Sequence, residues 1–262
     1  MNGVGDTFFD WQHIRDVLPE LIGTGLANTL ILAVSSALIG TVLGLGLAMM
    51  GLSRRRWLRW PARVYTDIFR GLPAIVTILL IGQGLVIVAR PVVGTDPYPL
   101  GILALSLIAS AYIGEIFRSG IQSVEAGQFE AGRALGMSHL ATMRKVVVPQ
   151  GIRRVLPALV NQFITLVKES SLVYFLGLLV DQRDLFRIGQ DAAANSGNLS
   201  PLVAAGLVYL LITVPLTHLV NHIDRRLRTG REVRGGDDDL GDDFDEPTVD
   251  RRADSPVRVA GS

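Results

Sequence analysis

The chain has 262 residues, with 25 Lys plus Arg against 24 Asp plus Glu, four His and no Cys; apolar residues make up 49% and charged ones only 19%. A soluble domain carries about 25% charge, and here charge is missing altogether from 33 residues between Glu20 and Arg54, 19 between Arg70 and Arg90, 18 between Asp96 and Glu115, and 32 between Asp191 and Asp224. A membrane-spanning helix needs about 20 apolar residues, so these runs exclude an ordinary soluble globule, and the missing cysteines exclude a disulfide framework, thiolate metal sites and cysteine catalysis.

The expected fold is therefore an all-α membrane protein. Residues 1–21 hold Asp6, Asp10, Asp16 and Glu20 against Arg15 alone, which is unlike the basic start of a cleavable leader. Phe8, Phe9, Trp11, Ile14, Val17 and Leu18 recur at near-helical spacing, as in a short amphipathic helix at the membrane surface. The first span is expected at 22–51. Gly40 and Gly44 stand in it at the small-xxx-small spacing that lets helix backbones approach closely. The next spans fall near 62–89 and 98–118. Arg70, one residue before Gly71-Leu72-Pro73, reads as an interfacial anchor. Glu115 lies three residues before Arg118, which an ion pair along the helix explains; Tyr112 and Ser110 are placed to line a pathway with it.

The link 122–154 is the most informative stretch. Small residues at 131, 132, 134 and 136 give a thin first helix, and Gly136 and Ser138 favour a turn. Leu140, Met143 and Val147 form one apolar face of a second helix that Pro149 is expected to end. Such a shape suits docking into a partner's groove; a plain connecting link is the alternative that spacing leaves open.

A fourth span is expected at 155–180, interrupted by Lys168 and Glu169. Charge inside a span marks function by default. Lys168, Glu169, Ser170 and Ser171 offer a carboxylate for an ammonium group and donors for a carboxylate, as a zwitterionic amino acid requires. The rival reading is a pair that ties spans together or sits at a water-filled break. The fifth span falls at 201–223, with His218 and His222 four apart but no third ligand in the helix, so no metal is expected. The net charge of +1 hides +6 over 1–229 and −5 over 230–262. The acidic tail 229–262 has almost no large apolar residues and is expected to be disordered.

Arginine distribution orients the spans. Arg54, Arg55, Arg56, Arg59 and Arg63 follow the first, Arg118, Arg133, Arg144, Lys145, Arg153 and Arg154 the third, and Arg225, Arg226 and Arg228 the fifth. The opposite links hold only Arg90, Arg183 and Arg187. The positive-inside rule then puts the amino terminus outside, five spans across, and the carboxyl terminus in the cytoplasm.

The link 122–154 resembles the signature loop of bacterial ABC-importer permeases, Glu-Ala-Ala-x-x-x-Gly followed at a distance by Ile-x-Leu-Pro. Glu130, Ala131, Gly136 and Pro149 stand at the matching positions, Gly132 replaces the second alanine, and Val146 and Val148 replace the aliphatic pair. Phe69-Arg70-Gly71-Leu72-Pro73, Ala111 to Gln122, Leu135-Gly136 and Asn161-Gln162-Phe163 resemble the polar amino-acid branch, and the likeness extends over about residues 20–228. The resemblance implies a transmembrane domain at 22–228 in the bacterial cytoplasmic membrane, paired with a second permease, equal or related, and fed by an extracytoplasmic binding protein. No nucleic acid belongs among its partners.

It also implies that ABC ATPase subunits dock on a coupling helix at 130–138, namely Glu130, Ala131, Gly132, Ala134, Leu135, Gly136, Met137 and Ser138, with Leu135 and Met137 as apolar contacts. Glu115 would face the central cavity. The chain would be no enzyme: ATP and Mg belong to the ATPase partner, and the sequence holds no Gly-x-x-x-x-Gly-Lys-Ser/Thr phosphate loop. A permease for another small solute, or an ion-gradient-driven transporter, is the alternative.

Overall fold

The computed structural model describes residues 4–94 and 96–235; the acidic stretch 236–262 lies outside the described residues. The described residues up to 225 form one compact unit, and 226–235 fall outside it. Chain order is α1 (Val4–Phe8), α2 (Trp11–Glu20), a π-helical turn (Leu21–Gly25), α3 (Leu26–Leu52), α4 (Arg56–Gly71), α5 (Ala74–Gly84), α6 (Val86–Val93), α7 (Tyr98–Gln122), α8 (Ala126–Ala134), α9 (His139–Thr142), a second π-helical turn (Met143–Val147), α10 (Val148–Glu169), α11 (Leu185–Ser196) and α12 (Ser200–Gly235). Among the described residues, Gly5–Leu52, Tyr98–Gln122 and Ser200–Asp224 are long and apolar enough to cross a membrane, and the bent pair α4–α5 supplies a fourth candidate.

The amino-terminal segment is not a separate surface helix. Asp10 caps α2 through Gln12 N–H at 2.9 Å, and the helix then continues through the π-helical turn into α3. The wider turn brings Gly25 against α11, where a Cβ would lie 3.0 Å from Ile188. Phe9 and Trp11 stay exposed while Val17 is buried.

α3 and α7 form the central seam. Gly40 faces Ala109 so closely that a Cβ would lie 2.7 Å from it, and a Cβ on Gly44 would lie 2.9 Å from the Gly114 nitrogen. Gly40 and Gly44 on α3 meet Ser106, Ala109, Ser110 and Gly114 on α7, and Ser36 one turn earlier donates to the Ile102 carbonyl at 3.3 Å. Such approach multiplies dispersion contacts, each worth only about 0.1–0.2 kcal/mol. It is the means by which helices associate where lipid is as apolar as the side chains. Leu105, Ile108, Leu166, Val167 and Val173 complete the core around it, drawn from α7, α10 and the segment after α10.

Three expectations need correction. The stretch 62–89 is not one helix: Leu72 and Pro73 break it, and α4 meets α5 at 106°. Pro149 does not end a helix but stands in the first turn of α10. Proline lacks the N–H of an interior bond and its ring strikes the carbonyl four residues back. The π-helical turn just before it shifts the bonding register by one residue and removes that conflict. The stretch 155–180 is also discontinuous: α10 closes at Glu169, tightens into a 3₁₀ turn over Ser170–Leu176, and stops at Gly177 with φ +76°. At the carboxyl end, α12 carries on through 229–235, where the tail was expected to begin.

The end of the bundle opposite α8 is held by polar bonds. Asp184, fully buried, caps α11 through Arg187 N–H at 3.0 Å and accepts from the Tyr209 hydroxyl at 3.2 Å. Leu185 N–H donates to Thr29 Oγ1 at 3.1 Å, and Asn28 donates to the carbonyls of Asp181 and Arg183. Gln182 reaches Asp96, and Arg183 pairs with Glu20. Burial pushes the Asp184 carboxyl up to about 6, against the bonds from Arg187, Phe186 and Tyr209 that favour its charged form.

Two outcomes follow. Gly44→Ala should destabilise the purified protein by about 1–3 kcal/mol through overpacking, whereas Gly46→Ala, which meets nothing within 4 Å, should stabilise it slightly, by up to about 1 kcal/mol. For Asp184, a folded carboxyl titrating near 6 binds a proton that the unfolded chain has already released. Stability should therefore fall as pH rises from about 4 to 6 and level off above. Asp184→Asn should flatten that slope in pH-dependent unfolding.

Candidate functional site

The link after α7 is a compact helix–turn–helix. α8 ends at Leu135, and Gly136 at φ +79° turns the chain. Gly136 N–H bonds to the Arg133 carbonyl at 3.0 Å and Met137 N–H to the Gly132 carbonyl at 3.1 Å. This pair of bonds is the Schellman closure, which needs a left-handed residue after the helix and favours glycine there. Arg133 adds a bond to the Met137 carbonyl at 2.6 Å. Ser138 then caps α9 by accepting from Ala141 N–H at 3.2 Å.

The outer face of this turn is open. Glu130, Ala131, Ala134, Leu135, Gly136 and Ser138 are exposed and Met137 is partly so, with Leu135 84% exposed. Leu140 is exposed as well, so the face expected from Leu140, Met143 and Val147 is split and only Val147 is buried. Gly132 alone points inward. A Cβ there would lie 2.7 Å from Thr142 Cγ2, so glycine in place of alanine makes room for a buried threonine.

The turn is rooted firmly. Gly120 on α7 and Gly151 on α10 are in near backbone contact, with a Cβ on Gly151 only 3.1 Å from the Gly120 carbonyl oxygen. Arg154 donates to the Ser123 carbonyl, and Gln150 to Gln128 at 3.5 Å. Behind the turn, α7 and α10 are thus joined through backbone, while α8 itself is tied to α10 by the Gln128 and Gln150 side chains.

A second feature is a cavity of about 240 Å³ between α3, α4 and α7. Glu115, Arg118, Arg63, Arg70, Asp67 and Thr66 supply its polar lining. Glu115 and Arg118 form a two-point ion pair, with Arg118 Nε 2.9 Å from Glu115 Oε2, and Arg118 also holds Gln122. Arg70 lies 5.4 Å over the Tyr112 ring and lines the cavity while its side chain stays exposed. Ser110 is fully buried, 2.8 Å from the Tyr65 hydroxyl, so it fixes α4 on α7 and does not line open space.

Lys168 and Glu169 are not part of this cavity. Lys168 is exposed and Glu169 half-buried, with its Oε2 buried and lacking a hydrogen-bond partner. Ser170 donates to the Val167 carbonyl at 2.8 Å and Ser171 to the Lys168 carbonyl at 2.7 Å. Both hydroxyl protons are thus spent on closing α10, leaving their oxygens only as acceptors. Arg63, Asp67 and Asp184 were not singled out in the sequence. The Asp-Leu-Phe-Arg start of α11 carries a capping signal, but Arg63 and Asp67 have no local signature. Among the described residues, no group of three or more His, Asp or Glu could hold a metal ion.

A family model described as the binding-protein-dependent transport system inner membrane component matches residues 40–229. The chain is 37% identical to the arginine transport system permease protein ArtQ of Bacillus subtilis (strain 168), over 78% of this chain and 91% of that one. It is 35% identical to the glutamate/aspartate import permease protein GltK of Escherichia coli O6:H1, over 83% and 98%. The crystal structure of an amino acid ABC transporter with histidines superposes with a TM-score of 0.74 at 34% identity, covering 83% of this chain and 98% of that one. The MetNI methionine ABC transporter, at 22% identity and TM-score 0.67, shares the fold over 79% and 97%.

Gly132→Ala should cost about 1–3 kcal/mol by overpacking against Thr142. Gly132→Ala with Thr142→Ser should recover most of it, because the serine loses Cγ2 and keeps the hydroxyl. Thermal unfolding of these two variants and of Thr142→Ser alone checks this, and additive losses would contradict it.

Proposed function

This chain belongs to the binding-protein-dependent transport system inner membrane components, and we propose that it takes up polar amino acids as the permease subunit of an ATP-driven ABC importer. The observation that carries this reading is the α8–Gly136–α9 turn, a rigid and outward-facing knob with an exposed leucine at its tip. An ABC ATPase subunit would dock there on Glu130, Ala131, Ala134, Leu135, Met137 and Ser138, with Gly132 and Gly136 setting the shape. ATP and Mg are used by that partner. A second permease, equal or related, and an extracytoplasmic amino-acid-binding protein complete the machine in the bacterial cytoplasmic membrane.

Five spans fit the helices: α2–α3, α5–α6, α7, α10 with its 3₁₀ extension, and α12. The arginines after α3, in and around α8–α10, and at the end of α12 support a cytoplasmic placement of those links. The amino terminus and the Asp184 network are then extracytoplasmic, and the tail beyond α12 is cytoplasmic. In this frame the coupling turn and the Asp184 network sit at opposite ends of α7 and α10. Closure of two ATPases on ATP would draw the turns of two permeases together, and the backbone contact at Gly120–Gly151 passes that displacement into the spans.

Glu169 is the best candidate to meet the ammonium group of a passing amino acid, because a buried carboxylate oxygen without a partner gains most from a cationic ligand. Lys168 supplies the matching cation for the substrate carboxylate. Glu115 and Tyr112 belong to the same proposed route nearer the cytoplasm, where Arg70 and Arg118 frame the cavity. Ser170 and Ser171 shape the end of α10, and Ser110 holds α4, so their contribution to the route is structural.

The experiment is ATP-driven uptake of radiolabelled arginine, glutamate and glutamine in vesicles holding the whole transporter with its binding protein. Leu135→Asp should abolish uptake while the permease stays folded, since the side chain is exposed. Glu169→Gln should lower uptake or shift its profile among the three. Full uptake by Leu135→Asp would overturn the docking assignment, and an unchanged profile in Glu169→Gln would overturn direct substrate contact.

A further inference from the structure

α4 carries a feature that neither the transport path nor the docking turn uses. Its first two turns read Arg56-Trp57-Leu58-Arg59-Trp60-Pro61-Ala62-Arg63, preceded by Arg54 and Arg55. Trp57 is 66% exposed and Trp60 69%, although both are large and apolar. The opposite side of the helix is seated, with Ala62 buried and Tyr65 bonded into α7 at the Leu107 carbonyl and Ser110. α4 is therefore fixed by one face and presents arginine and tryptophan on the other. It meets α5 at 106°, so where α5 crosses the membrane α4 lies across that direction, as an interfacial helix does.

Arg56, Arg59, Trp60 and Arg63 line a small cleft of about 140 Å³. Its lining holds three guanidinium groups and no carboxylate. Among the described residues no ion pair engages Arg54, Arg55, Arg56, Arg59 or Arg63. Guanidinium forks match phosphate oxygens in geometry as well as charge. Tryptophan settles at the level of lipid headgroups because its ring is apolar and its N–H is polar.

We propose that this cleft is a binding site for the headgroup phosphate of an anionic phospholipid, with Arg56, Arg59 and Arg63 on the phosphate and Trp57 and Trp60 in the adjoining acyl boundary. The exposed tryptophans favour a lipid over a free anion, because an acyl boundary covers the apolar surface beside the arginines and a free anion does not. The proposed orientation decides only which leaflet supplies the lipid, the cytoplasmic one; binding itself does not depend on it. Arg63 also lines the Glu115 cavity, so an occupied site would hold this arginine away from the transport route.

The test is native mass spectrometry of the full-length permease, purified with its co-purifying subunits, titrated with phosphatidylglycerol or phosphatidylcholine. Wild type should retain phosphatidylglycerol in preference. Each lost charge-assisted contact to the phosphate weakens binding by about tenfold or more, so Arg56→Gln with Arg59→Gln should weaken phosphatidylglycerol roughly 100-fold. Arg54→Gln with Arg55→Gln removes the same charge outside the cleft and should have a much smaller effect. Tryptophan quenching in the unmodified protein gives a second readout: brominated phosphatidylglycerol should quench at lower mole fraction than brominated phosphatidylcholine. Equal retention or equal quenching by the two lipids would overturn the proposal. So would equal losses in the two double variants, or displacement of the lipid by millimolar inorganic phosphate.

Discussion

Everything in this fold hangs on the near contact of α3 with α7. Inside a bilayer the hydrophobic effect cannot press two apolar helices together, since lipid solvates them as well as they solvate each other. What remains is close packing. Gly40 and Gly44 set against Ser106, Ala109, Ser110 and Gly114 let the backbones approach until a single added methyl group would collide. The seam fixes α7 as a straight strut, and α7 in turn positions the features that matter for function. One end begins at Tyr98, whose hydroxyl reaches the Asn28 carbonyl at 3.2 Å. The other presents Glu115 and Arg118 and then runs into the α8–α9 turn.

The two ends of α7 are built differently. At the end that runs into the α8–α9 turn, Gly120 meets Gly151 and Arg154 ties the link to Ser123. At the opposite end, the elements are joined by polar bonds gathered on Asp184, Thr29, Asn28 and Asp96. Backbone contact resists rearrangement because a packed core has few alternative arrangements. Asp184, Thr29 and Leu185 are fully buried, so their bonds are shielded from water and would be costly to leave unmade.

Much of this was legible in the sequence, for physical reasons that can be named. Gly40 and Gly44 stood out because glycine is costly in a helix and is retained where backbones touch. Their partners did not, since Ser106 and Ser110 look like ordinary small residues in an apolar run. The turn at Gly136 was readable from local chemistry alone, a left-handed closure followed by a serine cap. Pro149 misled because a π-helical turn, which has no sequence signature, absorbs it. The break at Leu72-Pro73 was visible, but its 106° angle depends on Tyr65 docking on α7, a contact 42 and 45 residues away in sequence. Lys168 and Glu169 were found from their charge, while the diversion of Ser170 and Ser171 into the 3₁₀ closure is a property of the backbone.

The central claim is that the tip of the α8–α9 turn is where an ATPase engages this chain. The sequence has no cysteine, so one placed at Leu135 would be the sole thiol in the subunit. A short thiol-to-amine cross-linker applied to the purified complex should join Leu135→Cys to an ABC ATPase subunit. A cysteine at the exposed Phe9 on the opposite end should give none of that product. An intact complex in which position 135 fails to cross-link, or in which positions 135 and 9 do so equally, would contradict the account.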